Sequence, residues 1–140
     1  MPPLLRNMSD LKPQGTRITL GTEQYGLLFS LNAIDDIQDL FDIDISELTS
    51  LFHDKVEDDK TIPNRNKTKN LREMLAILIN EWIAAENDLG RPAPKPVDAR
   101  FVGRHITAAN WASMYNEILN SFRESTPERE EDDIPNAASE

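Results

Sequence analysis

Two histidines, His53 and His105, are the only imidazoles in a chain of 140 residues that carries no cysteine. Zinc sites on helices place two ligands at H-x-x-x-H or H-E-x-x-H spacing, and neither histidine begins such a pattern. His105 reads as a surface or capping residue of a short helix. The lack of cysteine removes disulfides, thiolate metal sites and thiol nucleophiles together, and fits a reducing cytoplasm. The run DKVEDDK from Asp54 is acidic enough to suggest calcium. An EF-hand loop needs oxygen ligands at its first, third and fifth positions and glycine at the sixth. Counting from Asp54, Val56 falls on the third and Asp59 on the sixth, so the spacing fails. Adjacent carboxylates, Asp35–Asp36 and Asp58–Asp59, do acid–base work only where a pocket drives their pKa values apart. Side chains adjacent on a helix diverge, so a solvated face is the expectation. Serine nucleophile elbows and glycine-rich phosphate loops are missing, and five glycines leave little material for them. No catalytic residue, metal or cofactor is expected, and the chain does not read as an enzyme.

Charge is the more informative chemistry. Lys and Arg number 15 against 25 Asp and Glu, a formal net of −10. Phosphate backbones select basic patches, so nucleic acid is not an expected partner. The charge is also segregated. Residues 35–59 hold ten acids and one lysine, residues 60–72 hold five cations and no acid, and the stretch from 125 holds six acids and one arginine. Solvated faces, with a basic loop lying against its own acidic neighbours, account for this simply. Complementary patches through which copies, or copy and partner, meet head to tail are the functional alternative. On that alternative the partner-binding residues are Lys60, Arg65, Lys67, Lys69 and Arg72, the acids Glu130, Glu131, Asp132 and Asp133, and Phe101 as an exposed anchor. The oligomer it implies is extended and concentration-dependent.

The elements that position these residues follow from periodicity. Residues 1–15 carry three prolines and no pattern, and read as a flexible arm. TRITL alternates, GTEQ turns, and Tyr25, Leu27, Phe29 and Leu31 continue the alternation, which predicts a β-hairpin over 16–31. Asn32 is the expected N-cap of a helix carrying Ile34, Ile37, Leu40 and Phe41 on one face. Asp44 with Glu47 resembles a capping box for a second helix with Ile45, Leu48, Leu51 and Phe52 inward. Residues 54–67 are polar and read as a loop or mobile arm. Leu71, Met74, Leu75, Leu78, Ile79, Trp82 and Ile83 then hold helical spacing through three turns, with Gly90 as the stop. RPAPKP is a stiff connector. VDARFVGRHIT predicts a short helix presenting Val97, Phe101 and Ile106. Thr107 is the expected cap of a last helix with Trp111, Met114, Tyr115, Ile118, Leu119 and Phe122 on one side. Trp82 and Trp111 are expected in the core. From Ser125 the chain is acidic and proline-bearing, which predicts a disordered tail over 125–140.

The fold expected is mainly α: one domain over 16–124, with four to five helices around the helix of residues 69–88 and an N-terminal hairpin. The N-terminus has no apolar run of signal-peptide length, and Asn80 and Glu81 interrupt the longest apolar face, so no membrane span is expected. The sequons at Asn7 and Asn66 are read as chance matches.

Taken in order, four features resemble the tail assembly chaperones of long-tailed bacteriophages and related prophages. They are the hairpin and acidic helix ITLGTEQYGLLFSLNAIDDIQDLF, the short DISELTSLF, the central LREMLAILINEWI, and the pair VDARFVGRHIT and WASMYNEILNSF before an acidic tail. They cover most of residues 16–124, and none alone is diagnostic. RPAPKP and the polar 54–67 stretch depart from the common pattern. The resemblance implies a non-enzymatic assembly factor of the host bacterial cytoplasm that is absent from the mature virion. It implies binding to the tape measure protein, which the chaperone keeps soluble, and recruitment of tail tube protein. It also implies a longer form made by ribosomal frameshifting. A rival of another class is an acidic DNA mimic that occupies the basic groove of a nucleic-acid-binding protein. The acids of 35–59 favour that rival, and the cations of 60–72 oppose it. A third reading is an enzyme that completes its site with a partner chain, which would require a pocket of convergent polar groups.

Overall fold

The structure, a computed structural model, describes residues 15–126. The expected N-terminal arm lies outside them save Gly15, as does the acidic tail beyond Thr126, with Glu130, Glu131, Asp132 and Asp133. Strand β1 (Thr16–Leu20) alternates buried and exposed residues and pairs antiparallel with β2 (Glu23–Leu27). The loop is only Gly21–Thr22, so Glu23 and Gln24, expected in the turn, belong to the strand. Gly21 has φ +68, the positive value that a two-residue hairpin loop of the II′ class places at its first position. Ile18, Leu20, Tyr25 and Leu27 face inward.

The change from strand to helix comes earlier than Asn32. Ser30 has extended backbone (φ −82, ψ 173), and its hydroxyl oxygen accepts from the Ala33 N–H at 3.1 Å. The same hydroxyl donates to Glu81 Oε2 at 2.7 Å. Helix α1 (Leu31–Phe41) therefore starts at Leu31, and the residue expected as the last inward position of the strand is 83% exposed. Ala33 and Ile37 are buried, whereas Leu40, expected inward, is exposed. Asp42 closes the helix in the left-handed region (φ 55).

The segment Ile45–Phe52 is a 3-10 helix kinked at Glu47, and it buries Leu48, Leu51 and Phe52 as expected. The expected capping box does not form. Asp44 accepts from the N–H and hydroxyl of Ser46, one position short of Glu47, so the cap is an Asx turn. Residues 54–67, read as a loop, contain a second hairpin: β3 (Lys55–Glu57) and β4 (Lys60–Ile62), joined by Asp58 and Asp59 with φ 50 and 63. Two positive φ values define the I′ class of turn, in which aspartate is tolerated although glycine is commoner.

Helix α2 (Lys67–Asp88) is the centre of the fold. Leu71, Met74, Leu75, Leu78, Ile79 and Ile83 are buried, and Gly90 follows its end with φ +74. Helix α3 (Ala99–Arg104) is capped by Asp98, whose carboxylate accepts from the Phe101 N–H at 2.8 Å. Its fully buried residue is Val102, which the apolar spacing did not pick out. Helix α4 (Trp111–Ser125) begins after Asn110, not at Thr107. The Thr107 hydroxyl instead accepts from the Ala109 N–H within a preceding turn. Met114 and Ile118 enter the core, and the ring of Phe122 meets Phe29 edge-on at 5.1 Å. β2, α1, α3, α4 and the 3-10 helix all pack on α2, so one apolar core unites the described residues. The architecture is mainly α with an N-terminal hairpin, plus the small second hairpin.

Candidate functional site

Helix α2 begins beside the end of the 3-10 helix and the turn before α4, and a cleft of about 440 Å³ opens where they meet. Phe52, Ile106 and Trp111 form its apolar walls, and Lys67, Thr68 and Thr107 its polar margin. Phe52 and Trp111 meet edge-on at 6.3 Å, and Tyr115 packs against both. Tyr115 also lies 3.0 Å from His53 Nε2 through its hydroxyl, and burial pushes its pKa up. Neither helix that starts here has a side-chain cap bond. The side chain of Asn110 is otherwise engaged: it accepts from the Thr107 N–H at 2.7 Å and donates to the His105 carbonyl at 3.2 Å.

The six structurally described residues of the expected interface do not share one surface. Lys60 sits on the outer hairpin opposite Glu57, and Arg65 and Lys69 are exposed nearer the start of α2. Lys67 alone lines the cleft, and it pairs with Asp54 at 2.9 Å. Arg72 lies between helices: its Cδ stands 3.1 Å from where a Cβ on Gly103 would be, and its Nε is buried without a partner. Its charge is therefore set against α3 and is less available to a partner than the sequence suggested. Phe101, expected as an exposed anchor, is half-buried, with its ring 6.3 Å from Tyr25 and 4.8 Å from His105. It lines a second cleft, of about 470 Å³, with Tyr25, Pro94 and Pro96. Burial and the nearby Glu23 raise the pKa of Tyr25. His105 is the C-cap residue of α3, as expected of a capping histidine. Among the described residues, no group of three or more His, Asp or Glu side chains is placed to hold a metal ion.

Phe52, Ile106 and Trp111 were legible only as core residues. What signals the cleft is Trp111 at the first position of its helix, beside the turn that precedes it.

A network of polar contacts fixes the outer hairpin to this region. Asn64 donates its backbone N–H to Asp54 Oδ1 at 2.9 Å, and its amide nitrogen reaches the carbonyls of Leu51 and His53. The Asn64 bond first, and Lys67 second, hold the Asp54 carboxyl below the usual aspartate range. A group whose folded pKa is depressed contributes stability above its unfolded value and loses it as pH falls through the folded one. Acidification is therefore expected to release the base of the β3–β4 hairpin. In an NMR titration Asp54 should protonate below an ordinary aspartate, with the Asn64 amide shifting over the same window. Asp54→Asn should remove that acid dependence, and an ordinary titration of Asp54 would contradict the assignment.

Compared with protein-family models, with curated proteins and with solved structures, the chain matches none. No helix among the described residues is long and apolar enough to cross a membrane.

Proposed function

We propose that this domain is a phage tail assembly chaperone, a non-enzymatic factor that binds and solubilises the tape measure protein and helps recruit tail tube protein during tail morphogenesis. It would act in the host bacterial cytoplasm and leave before the virion is complete. The observation that carries the reading is the order of elements: a hairpin running straight into an acidic helix, a short second helix, a long apolar helix and a final pair. That order is the one the resemblance rests on. Two further features are compatible with it. The Phe52–Trp111 cleft has apolar walls, which suits peptide contact, and several large apolar side chains stay in solvent, among them Leu31, Leu40 and Val56. Many weak contacts along one long client give avidity without permanence.

The acids of α1 support one rival. Asp35, Asp36 and Asp39 are all exposed on a single helix, as a DNA mimic would require. Affinity purification of this protein from bacteria producing the phage, followed by mass spectrometry, separates the two. A large helix-rich tape measure protein, or a longer product sharing this N-terminus, is the expected catch. Recovery instead of a host DNA-binding protein that salt releases would replace the chaperone reading with the mimic.

A further inference from the structure

We infer that the Phe52–Trp111 cleft is a docking site for this chain's own C-terminal acidic segment, residues 128–135, running back beside α4. The inference stands apart from the identity of the client.

Three observations meet at the cleft. The first is charge: Lys67 lines it, Arg65 and Lys69 are exposed close by in sequence, and no acid lines it. The segment beyond Thr126 supplies the complement in Glu130, Glu131, Asp132 and Asp133. Lys67 already bonds Asp54, so the segment shares that cation and relies on its two neighbours as well. The amides of the first turns of α2 and α4 add favourable partial charge for acids, since neither helix has a side-chain cap bond.

The second is apolar fit. Ile134 is the one large apolar residue beyond Thr126, and it directly follows the acids. The aromatic walls of Phe52 and Trp111 give it cover once the acids have met the cations at the rim.

The third is reach. Helix α4 runs from Trp111 at the cleft to Ser125, a span of about 21 Å at the helical rise. Ile134 lies nine positions beyond Ser125, and extended chain covers about 30 Å over that many steps. Ile134 therefore spans the distance back to the cleft with a few residues of slack, while Glu130 to Asp133 fall along its approach. A segment four residues shorter would fall short, since five extended steps cover only about 17 Å.

The test uses the full chain. Because it has no cysteine, Asn136→Cys accepts a single nitroxide label, and the two tryptophans give two separate indole N–H signals in an NMR spectrum. The label is expected to broaden the Trp111 indole strongly and to leave Trp82 sharp. High salt should restore the Trp111 signal, because the screening length falls from about 10 Å at 0.1 M to about 3 Å at 1 M. Neutralising Glu130, Glu131, Asp132 and Asp133 to their amides should restore it too. Equal broadening of both indoles, or of neither, overturns the inference. So does Trp111 broadening in an isotope-labelled chain mixed with spin-labelled unlabelled copies, which would assign the occupant to a second molecule.

Discussion

A single methyl group added at Gly26 is expected to lower the stability of the domain by about 3 kcal/mol, at the upper end of what overpacking a tight site costs. Gly26 is buried in β2, and the indole of Trp82 occupies the space that a side chain there would need. A Cβ there would stand 2.4 Å from Trp82 Nε1, with two more ring atoms within 2.6 Å. Real side chains do not approach so closely, so either the strand or the indole must move. Moving the indole also disturbs a second contact. Its ring carries the guanidinium of Arg17, the residue paired with Gly26 on β1, with Cζ 5.1 Å from the centroid in a cation–π contact. Gly26 is thus a matter of space and not of backbone freedom, since its φ is not in the left-handed region. Gly26→Ala should shift the urea midpoint without altering the slope, which reads as lost stability with an unchanged fold. The second arm is the double variant with Trp82→Ala. Removing the indole should make the added methyl nearly harmless, a coupling of about 3 kcal/mol between the two sites. An unchanged midpoint for Gly26→Ala, or additive effects in the double variant, would refute the packing described.

The contrast between Gly26 and helix α2 shows what the sequence could tell. Leu71, Met74, Leu75, Leu78, Ile79 and Ile83 repeat at helical spacing, and all are buried, because one periodic face against one core leaves a strong signal. The N-terminal hairpin was legible for the same reason at period two. Ser30 was not, because Ser and Asn are comparable N-caps. Glu81, 51 positions away, bonds the Ser30 hydroxyl, and nothing local predicts that partner. The second hairpin was hidden because its turn uses two aspartates where the usual signal is Asn-Gly. All six of its strand residues are exposed, so no apolar alternation marks it. The candidate site fares likewise. Lys67 and Arg72 carry the same charge in sequence, yet packing sends one to a cleft and the other between two helices. The cleft itself joins Phe52 to Trp111, and only the assembled core brings them together.

Asn80 and Glu81 looked in the sequence like interruptions of an apolar face, and the structure makes them its connectors. The side-chain amide of Asn80 reads the backbone of Val97 in both directions: Nδ2 donates to its carbonyl at 2.7 Å, and Oδ1 accepts from its N–H at 2.8 Å. Residues 91–98 belong to no helix or strand and contain three prolines, so this stretch supplies few amides of its own. One asparagine therefore moors the connector on which α3 depends. Asn80→Ala removes two bonds, each of net worth about 1 kcal/mol, and leaves a part-buried amide and carbonyl without partners, for an expected loss of about 2–3 kcal/mol. Hydrogen exchange should place the loss locally, with faster exchange at the Val97 amide and in α3 before the rest of the core. Asn80→Asp gives a sharper reading. The introduced carboxylate still accepts from the Val97 N–H, but its second oxygen faces a carbonyl and cannot donate. Protonation restores the donor, so the folded pKa of that carboxyl lies above its unfolded value. Its contribution is present below the unfolded value and disappears as pH rises through the folded one. The aspartate variant should therefore be weakest near neutral pH and recover towards the parent on acidification, whereas the alanine variant should show no such recovery. If both variants behave alike across pH, Val97 is held by something other than the paired bonds of Asn80.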